Sequence, residues 1–197
     1  LPTVRFLQSY GMTELSPVAT VLMPEFHTFE GPNAGFTASA GQPVYNADVA
    51  IRDADGNTLP PGGIGEICVR GPMVMKGYWN QPTMTAEALR DGWMHTGDGG
   101  YMNESGFLYV VDRIKDMIVT GGENVYSAEV EDALYAHPAV AECAVIGIPS
   151  EQWGEAVHAE VVRKAGMTVS EADLIAHCKA RIAGFKCPRS VLFHDAE

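Results

Sequence analysis

Leu108 to Glu131 reads LYVVDRIKDMIVTGGENVYSAEVE, and this stretch decides how the chain is organised. A β-rich apolar run, Leu108 to Val111, leads into the charged cluster Asp112-Arg113-Ile114-Lys115-Asp116. A second β-rich run, Met117 to Thr120, meets Gly121-Gly122-Glu123-Asn124, and Ser127 is placed to cap a helix. Unpaired buried charge is costly, so a charged cluster between two strands suits an exposed joint rather than the middle of one sheet. The glycine pair permits a sharp turn or a close approach of backbone to a ligand. The expectation is a domain boundary with chemistry on both sides.

Upstream of the joint the chain reads as mostly β. Val4 to Gln8 is a strand candidate that runs into Ser9-Tyr10-Gly11-Met12-Thr13-Glu14. There the ring could stack on a base, the glycine lets something approach, and the carboxylate could hold magnesium through oxygen. Taken alone this signal is weak, and an ordinary strand-to-loop turn explains it better. Gly31 to Gly41 is loop by composition. Asp48 to Arg52 and Gly65 to Arg70 alternate as half-buried strands, with Asp55-Gly56 as a tight-turn signal between them. The region therefore reads as barrel-like or a small sandwich. Thr83 to Leu89 reads as a short helix with a threonine cap. In Trp93-Met94-His95-Thr96-Gly97-Asp98, the Asp98 carboxylate sits in a glycine-flanked turn and could accept two hydrogen bonds from a vicinal diol such as a ribose. His95, beside Trp93 and Met94, reads as a packed structural residue, and Cys68 is given no catalytic role.

Downstream the chain alternates between helix and strand. Val130, Ala133, Leu134 and His137 fall at helical spacing behind Ser127, with Glu129 and Glu131 in the first turn, where the helix dipole favours them. Pro138 ends that helix. Val140 to Ile148 and Ala156 to Val162 are apolar strands. Ser170 with Asp173 three residues on marks a second helix start, with Gly184 as its stop and Ser190 to His194 as a last strand.

The chain has 197 residues, enough to bury a core as one large or two modest domains. A formal net charge of −12 argues against nucleic-acid backbone binding as the main role. Cys68, Cys143, Cys178 and Cys187 form no CxxC, so neither a zinc site nor a disulfide framework is indicated. No transmembrane run or signal peptide is visible. The expectation is a cytoplasmic protein with reduced thiols. The chain begins at Leu1 rather than methionine, and strand-like runs lie close to both ends, so a piece of a longer polypeptide is expected.

Tyr10-Gly11-Met12-Thr13-Glu14, Gly65-Glu66 with Arg70-Gly71, Lys76-Gly77-Tyr78, His95-Thr96-Gly97-Asp98, Asp112 to Asp116 and Gly121-Gly122-Glu123-Asn124 occur in this order. Together they resemble the adenylate-forming superfamily of acyl-CoA synthetases, peptide-synthetase adenylation domains and beetle luciferases. Each motif alone is weak; six in order are very specific. The resemblance implies an α/β and α+β fold. Residues 1–114 would be the β-rich, distorted barrel-like end of a large AMP-binding domain, and residues 115–197 a small mobile α+β domain.

The resemblance also implies two half-reactions, in which ATP and a carboxylic acid form an acyl-adenylate and a thiol, usually of coenzyme A, then takes the acyl group. Tyr10 would stack on the adenine and Gly11 would belong to the same ATP/AMP site, with Thr13 on the phosphate, Glu14 on the magnesium ion, Asp98 on the ribose and Arg113 on the nucleotide. Lys115 would be the hinge of the small domain. Gly121, Gly122, Glu123 and Asn124 would line the pantetheine path, with Trp153, Phe185, Lys186 and Arg189 at the nucleotide end of coenzyme A. A homodimer is left open.

Two departures stand out. The family's glycine- and hydroxyl-rich phosphate loop and its lysine near the C-terminus are both absent from these residues, and Lys186 is not that lysine. The residues alone are therefore expected not to adenylate efficiently. Trp93 to Asp98 and Thr120 to Val125 resemble CoA ligases more than peptide-synthetase domains, with fatty or aromatic acids as the substrate class. The alternatives are a peptide-synthetase-type domain and a non-catalytic module that binds nucleotide or a partner.

Overall fold

The computed structural model describes residues 4–194. The fold is mixed α/β and β-rich, and the chain forms two compact units, Leu1–Val111 and Asp112–Glu197.

In the first unit, β1 (Gln8–Gly11), β2 (Val18–Leu22) and β3 (Gln42–Pro43) form an antiparallel sheet. A second sheet joins β4 (Asp48–Arg52), β5 (Gly65–Arg70), β6 (Leu89–Arg90), β7 (Trp93–Met102) and β8 (Leu108–Arg113), with β7 central between β5 and β6 and also paired with β8. A bridge between Gly41 and Leu108 ties the end of one sheet to the other, the barrel-like curl expected of this region. Leu15, Ala19, Ile51, Ile67, Val69, Met94 and Leu108 make its core.

Several local expectations are corrected here. The first strand is Gln8–Gly11, not Val4 to Gln8. Val4 to Leu7 lies outside any strand with Phe6 72% exposed, because the partner strand β2 pairs from Gln8 onward. Strand β5 is buried on both faces rather than alternating. Ile67 and Val69 enter the main core, while Cys68 packs with Ala50 and Trp93 on the other side. The short helix α1 (Pro82–Ala88) starts with proline at its first turn and has no threonine cap. Instead Thr85 Oγ1 accepts from Tyr78 N–H and donates to the Gln81 carbonyl.

In the second unit, a 3₁₀ turn (Ile114–Asp116) precedes the hairpin β9 (Ile118–Thr120) and β10 (Glu123–Val125). Helix α2 (Ser127–Tyr135), the long antiparallel pair β11 (Val140–Ser150) and β12 (Gly154–Arg163), helix α3 (Glu171–Lys179) and β13 (Ser190–His194) follow. The sheet runs β10-β9-β12-β11, with β13 parallel to β12. Both helices bury apolar residues against it, with Val130, Leu134, Leu174 and Cys178 meeting Ile118, Val157, Ala159 and Val161. The expected Ser170–Asp173 capping box is present. Two helix-end expectations are corrected. Ser127 is the first helical residue rather than the N-cap, and Gly184 is not the stop of α3, which ends at Lys179 with Ala180 still right-handed.

Candidate functional site

Asp98 owes its position to a bulge. Along β5, Glu66 pairs with Gly99 and Cys68 with His95, so Ile67 alone opposes three residues of β7. These three, Thr96-Gly97-Asp98, leave the ladder with Gly97 at φ +75°, a conformation that favours glycine. What reads in sequence as a turn is a bulge inside a ten-residue strand. Bulges re-aim side chains next to sites. Thr96 Oγ1 donates to the Ile67 carbonyl and accepts from Asp98 N–H, and Gly97 N–H donates to Glu66 Oε1. The half-buried Tyr10 hydroxyl donates to Asp98 Oδ2 at 2.7 Å. Burial, with the Asp98 charge adding to it, pushes the Tyr10 phenol far above its ordinary value, so it stays a donor.

The turn after Tyr10 is held by backbone contact. A Cβ on Gly11 would meet the Pro17 carbonyl oxygen at 1.8 Å, so the approaching group that requires this glycine is Pro17. Thr13 to Leu15 forms a 3₁₀ turn with Thr13 exposed and Leu15 buried. The Glu14 carbonyl accepts from Met75 N–H, and its Oε1 accepts from the Tyr78 hydroxyl at 2.8 Å. That bond to Glu14 raises the Tyr78 phenol and orients the carboxylate. A fixed carboxylate oxygen is a hard ligand, and magnesium is usually held by one or two carboxylates plus substrate phosphates and water. Glu14 fits that donor set.

Behind the bulge lies a packed polar cluster. His95 Nδ1 is 2.7 Å from both Glu66 Oε2 and Arg90 Nη2, and 3.4 Å from Cys68 Sγ. Glu66 needs Nδ1 to donate and Arg90 needs it to accept, so both cannot be hydrogen bonds at once. The Nδ1–H tautomer satisfies Glu66, while Arg90 reaches the same carboxylate oxygen at 3.3 Å. Glu66, Cys68 and His95 place three ligand-type atoms within 4.8 Å of one another. The Arg90 guanidinium already supplies the cation there. Burial, reinforced by the Glu66 charge, pushes the Cys68 thiol up to about 12. His95 is a packed residue, as its apolar neighbours in sequence suggest.

In the second unit, Arg113 and Lys115 are exposed. Gly121 and Gly122 are the two-residue loop of the β9–β10 hairpin, at φ +60° and +84°, the left-handed pair that a type I′ turn needs. Gly121 N–H donates to the Trp153 carbonyl, and a Cβ there would sit 3.0 Å from the Trp153 ring. Glu123 and Asn124 are exposed on β10. The Arg189 guanidinium lies 5.5 Å from the Trp153 ring centroid. Gly121, Trp153 and Arg189 therefore share one surface, with Trp153 39% exposed. Lys186 Nζ instead donates to both Glu129 carboxylate oxygens, at 2.6 and 2.8 Å, with Phe185 beside it.

The structure thus joins Tyr10 to Asp98, and groups Gly121, Trp153 and Arg189. Four residues given no role in the sequence reading belong to these arrangements: Tyr78 on Glu14, Thr96 and Glu66 behind Asp98, and Asp112 at the start of α2. All four lie within the quoted motifs, and that is the one signal the sequence carries for them.

Residues 1–79 match the AMP-binding enzyme family, and residues 129–196 match the AMP-binding enzyme C-terminal domain. The chain is 48% identical to a feruloyl-CoA synthase of Amycolatopsis sp over 190 residues, which is 96% of this chain and 38% of that protein. The chain belongs to the AMP-binding enzyme family. Another member, a fatty acid–[acyl-carrier-protein] ligase of Streptomyces coeruleorubidus, is 44% identical over 191 residues, 97% of this chain and 36% of its own length. Among solved AMP-binding enzymes, the o-succinylbenzoate CoA synthetase of Bacillus subtilis, in complex with its acyl-adenylate intermediate, superposes with a TM-score of 0.84 at 41% identity. That match covers 98% of this chain and 38% of the other. The chain thus spans little more than a third of the length of these relatives. Among the described residues, no helix is long and apolar enough to cross a membrane.

Proposed function

We propose that the polypeptide carrying this chain is an acyl-CoA ligase acting on a fatty or aromatic carboxylic acid in the cytoplasm. A carboxylate oxygen attacks the α-phosphorus of ATP, and pyrophosphate leaves with the electrons of the broken phosphoanhydride bond. The sulfur of coenzyme A then attacks the acyl carbon, its proton is lost, and AMP leaves as the thioester forms. Chemistry of this kind rests on positioning and on stabilising charge.

The observation that carries the reading is the Tyr10–Asp98 hydrogen bond at the bulge, which aims a carboxylate beside an aromatic ring. Asp98 accepts from the two ribose hydroxyls, and Tyr10 orients it while its ring faces the adenine. Gly11 holds the turn, Thr13 donates to the phosphate, and Arg113 adds donors to the nucleotide. Glu14, oriented by Tyr78, is the residue that would hold magnesium, which when bound offsets phosphate charge. Lys115 is the pivot between the two half-reactions. Gly121 to Asn124 follow the pantetheine arm, and Trp153, Phe185, Lys186 and Arg189 meet the nucleotide end of coenzyme A.

A second reading keeps the adenylation and replaces coenzyme A by a carrier-protein thiol; the 44% identity to an acyl-carrier-protein ligase favours it. One experiment tests both. The natural polypeptide is assayed for carboxylate-dependent exchange of pyrophosphate into ATP across a panel of fatty and aromatic acids. Thioester formation is then measured with coenzyme A and with a carrier protein. Acid-dependent exchange followed by acyl-CoA is the expected result. Nucleotide binding without exchange would leave a non-catalytic module.

A further inference from the structure

Helix α2 begins behind Tyr126, which offers no side-chain cap. Its unpaired N–H groups are met instead by Asp112, fifteen residues upstream. Asp112 Oδ2 accepts from Ser127 N–H at 2.7 Å, Ser127 Oγ at 2.6 Å and Ala128 N–H at 3.4 Å, while Oδ1 accepts from Arg113 N–H at 2.8 Å. A carboxylate is the favoured partner of a helix N-terminus, both as acceptor and as negative charge. Asp112 lies near the end of β8 and is the first residue of the second compact unit, three positions before Lys115; Ser127 lies in the same unit.

This cap is not local. It closes a loop that runs from Asp112 through the 3₁₀ turn Ile114–Asp116 and the β9–β10 hairpin to Ser127, and Lys115 is inside that loop. A backbone rotation at Lys115 turns Asp112 and Ser127 relative to one another, since one is attached on each side. Hydrogen bonds weaken steeply with lost alignment, so three contacts to one oxygen cannot survive a large rotation. The other carboxylate on this segment behaves differently. Glu155 Oε2 accepts from Val119 N–H at 2.7 Å, but both of those residues follow Lys115, and that fastening is indifferent to the pivot.

We propose that Asp112 is a positioning residue that latches the pivot: its cap on α2 is made in one of the enzyme's two arrangements and released in the other. The proposal rests on the ligase reading above, in particular on rotation at Lys115. Release costs the helix a cap, but Asp112 is only half-buried and water can replace its partners. The latch therefore biases the two arrangements without forbidding either.

The test is the double variant Asp112→Cys with Ser127→Cys in the natural polypeptide. Acyl-adenylate formation and thioester formation from preformed acyl-adenylate are measured separately, each in single turnover. The oxidised protein is expected to keep one half-reaction and lose the other at least tenfold, with reductant restoring it. A quantitative cross-link that leaves both half-reactions at their reduced rates, or that abolishes both, would overturn the latch, and a pair that never cross-links contradicts the contact. The single variant Asp112→Ala gives an independent readout. It is expected to move the two half-reaction rates in opposite directions, whereas parallel losses that track a lower Tm would make Asp112 a helix cap only. Absence of both half-reactions from the unmodified polypeptide would instead remove the ligase reading, and the latch with it.

Discussion

The Tyr10 hydroxyl donates to Asp98 Oδ2 at 2.7 Å, joining the first strand of the chain to a bulge 88 residues later. If Asp98 receives the ribose hydroxyls, Asp98→Ala removes hydrogen bonds to a charged acceptor, worth about 1.5–3 kcal/mol each, and the KM for ATP should rise tenfold or more. Tyr10→Phe keeps the ring and removes only the orienting donor, so a rise of a few-fold is expected. The KM for the acid should be unchanged in both. Because the Tyr10 phenol is held far above its ordinary range by burial, it should add no titration to the pH profile of ATP binding. Pyrophosphate exchange measured against ATP concentration, acid concentration and pH reads all three quantities.

The thiols predict a pH dependence of stability. Burial pushes Cys68 up to about 12, and Cys143 and Cys178 up to about 11, from an ordinary value near 9. Below pH 9 both folded and unfolded chains keep these protons, and the stabilising effect is fully present. Above it the unfolded chain ionises first, so stability is lost as pH rises from 9 through the folded values. The urea midpoint should fall more steeply between pH 9 and 11 in the parent chain than in Cys68→Ala. Equal slopes would mean that the Cys68 thiol is not held protonated by the fold.

What was legible in the sequence divides along a physical line. The Ser170–Asp173 capping box is a local device, made by residues three apart, and spacing alone reveals it. The Asp112 cap on Ser127 is made through space, so the sequence offered Ser127 as its own cap. Gly97 marks a turn beside Asp98, but nothing in its neighbours says that the strand resumes and makes the bend a bulge with Gly97 at positive φ. Gly11 was read as clearance for a ligand, whereas the group that needs it is the Pro17 backbone. The apolar run from Val4 has strand character without a partner, and pairing with β2 decided where the strand starts. The family was legible because its motifs follow one another in order along the chain, whatever their separation in space.

Gly121 and Gly122 separate a stability role from a path for the thiol. Both need positive φ, which costs an alanine about 1 kcal/mol. At Gly121 the new Cβ would also press on the Trp153 ring at 3.0 Å, whereas at Gly122 it meets open space. Gly121→Ala should therefore lower the urea midpoint more than Gly122→Ala. If the pantetheine arm runs along this loop, Gly122→Ala should slow thioester formation beyond its small stability cost while leaving acyl-adenylate formation alone. A Gly122→Ala protein with both half-reactions at parental rates would confine these glycines to the turn.

Lys186 is held by Glu129 in a bidentate contact, with the two side chains 23% and 36% exposed. Such a partly exposed pair stabilises by about 1 kcal/mol or less, so its loss should hardly move Tm. The same competition should be visible in binding. If Lys186 serves a phosphate of coenzyme A, Glu129→Gln frees the cation and should lower the KM for coenzyme A by a few-fold. Lys186→Gln should raise it by a similar factor. Both effects should shrink as salt is added, because exposed charges are screened over about 10 Å at 0.1 M ionic strength. The KM for ATP and the rate of acyl-adenylate formation should stay at parental values, since neither is read by this pair. Thioester formation against coenzyme A concentration at two ionic strengths decides the matter. Variants that share the parental KM for coenzyme A would leave the pair with one role, fastening α2 to the segment before β13.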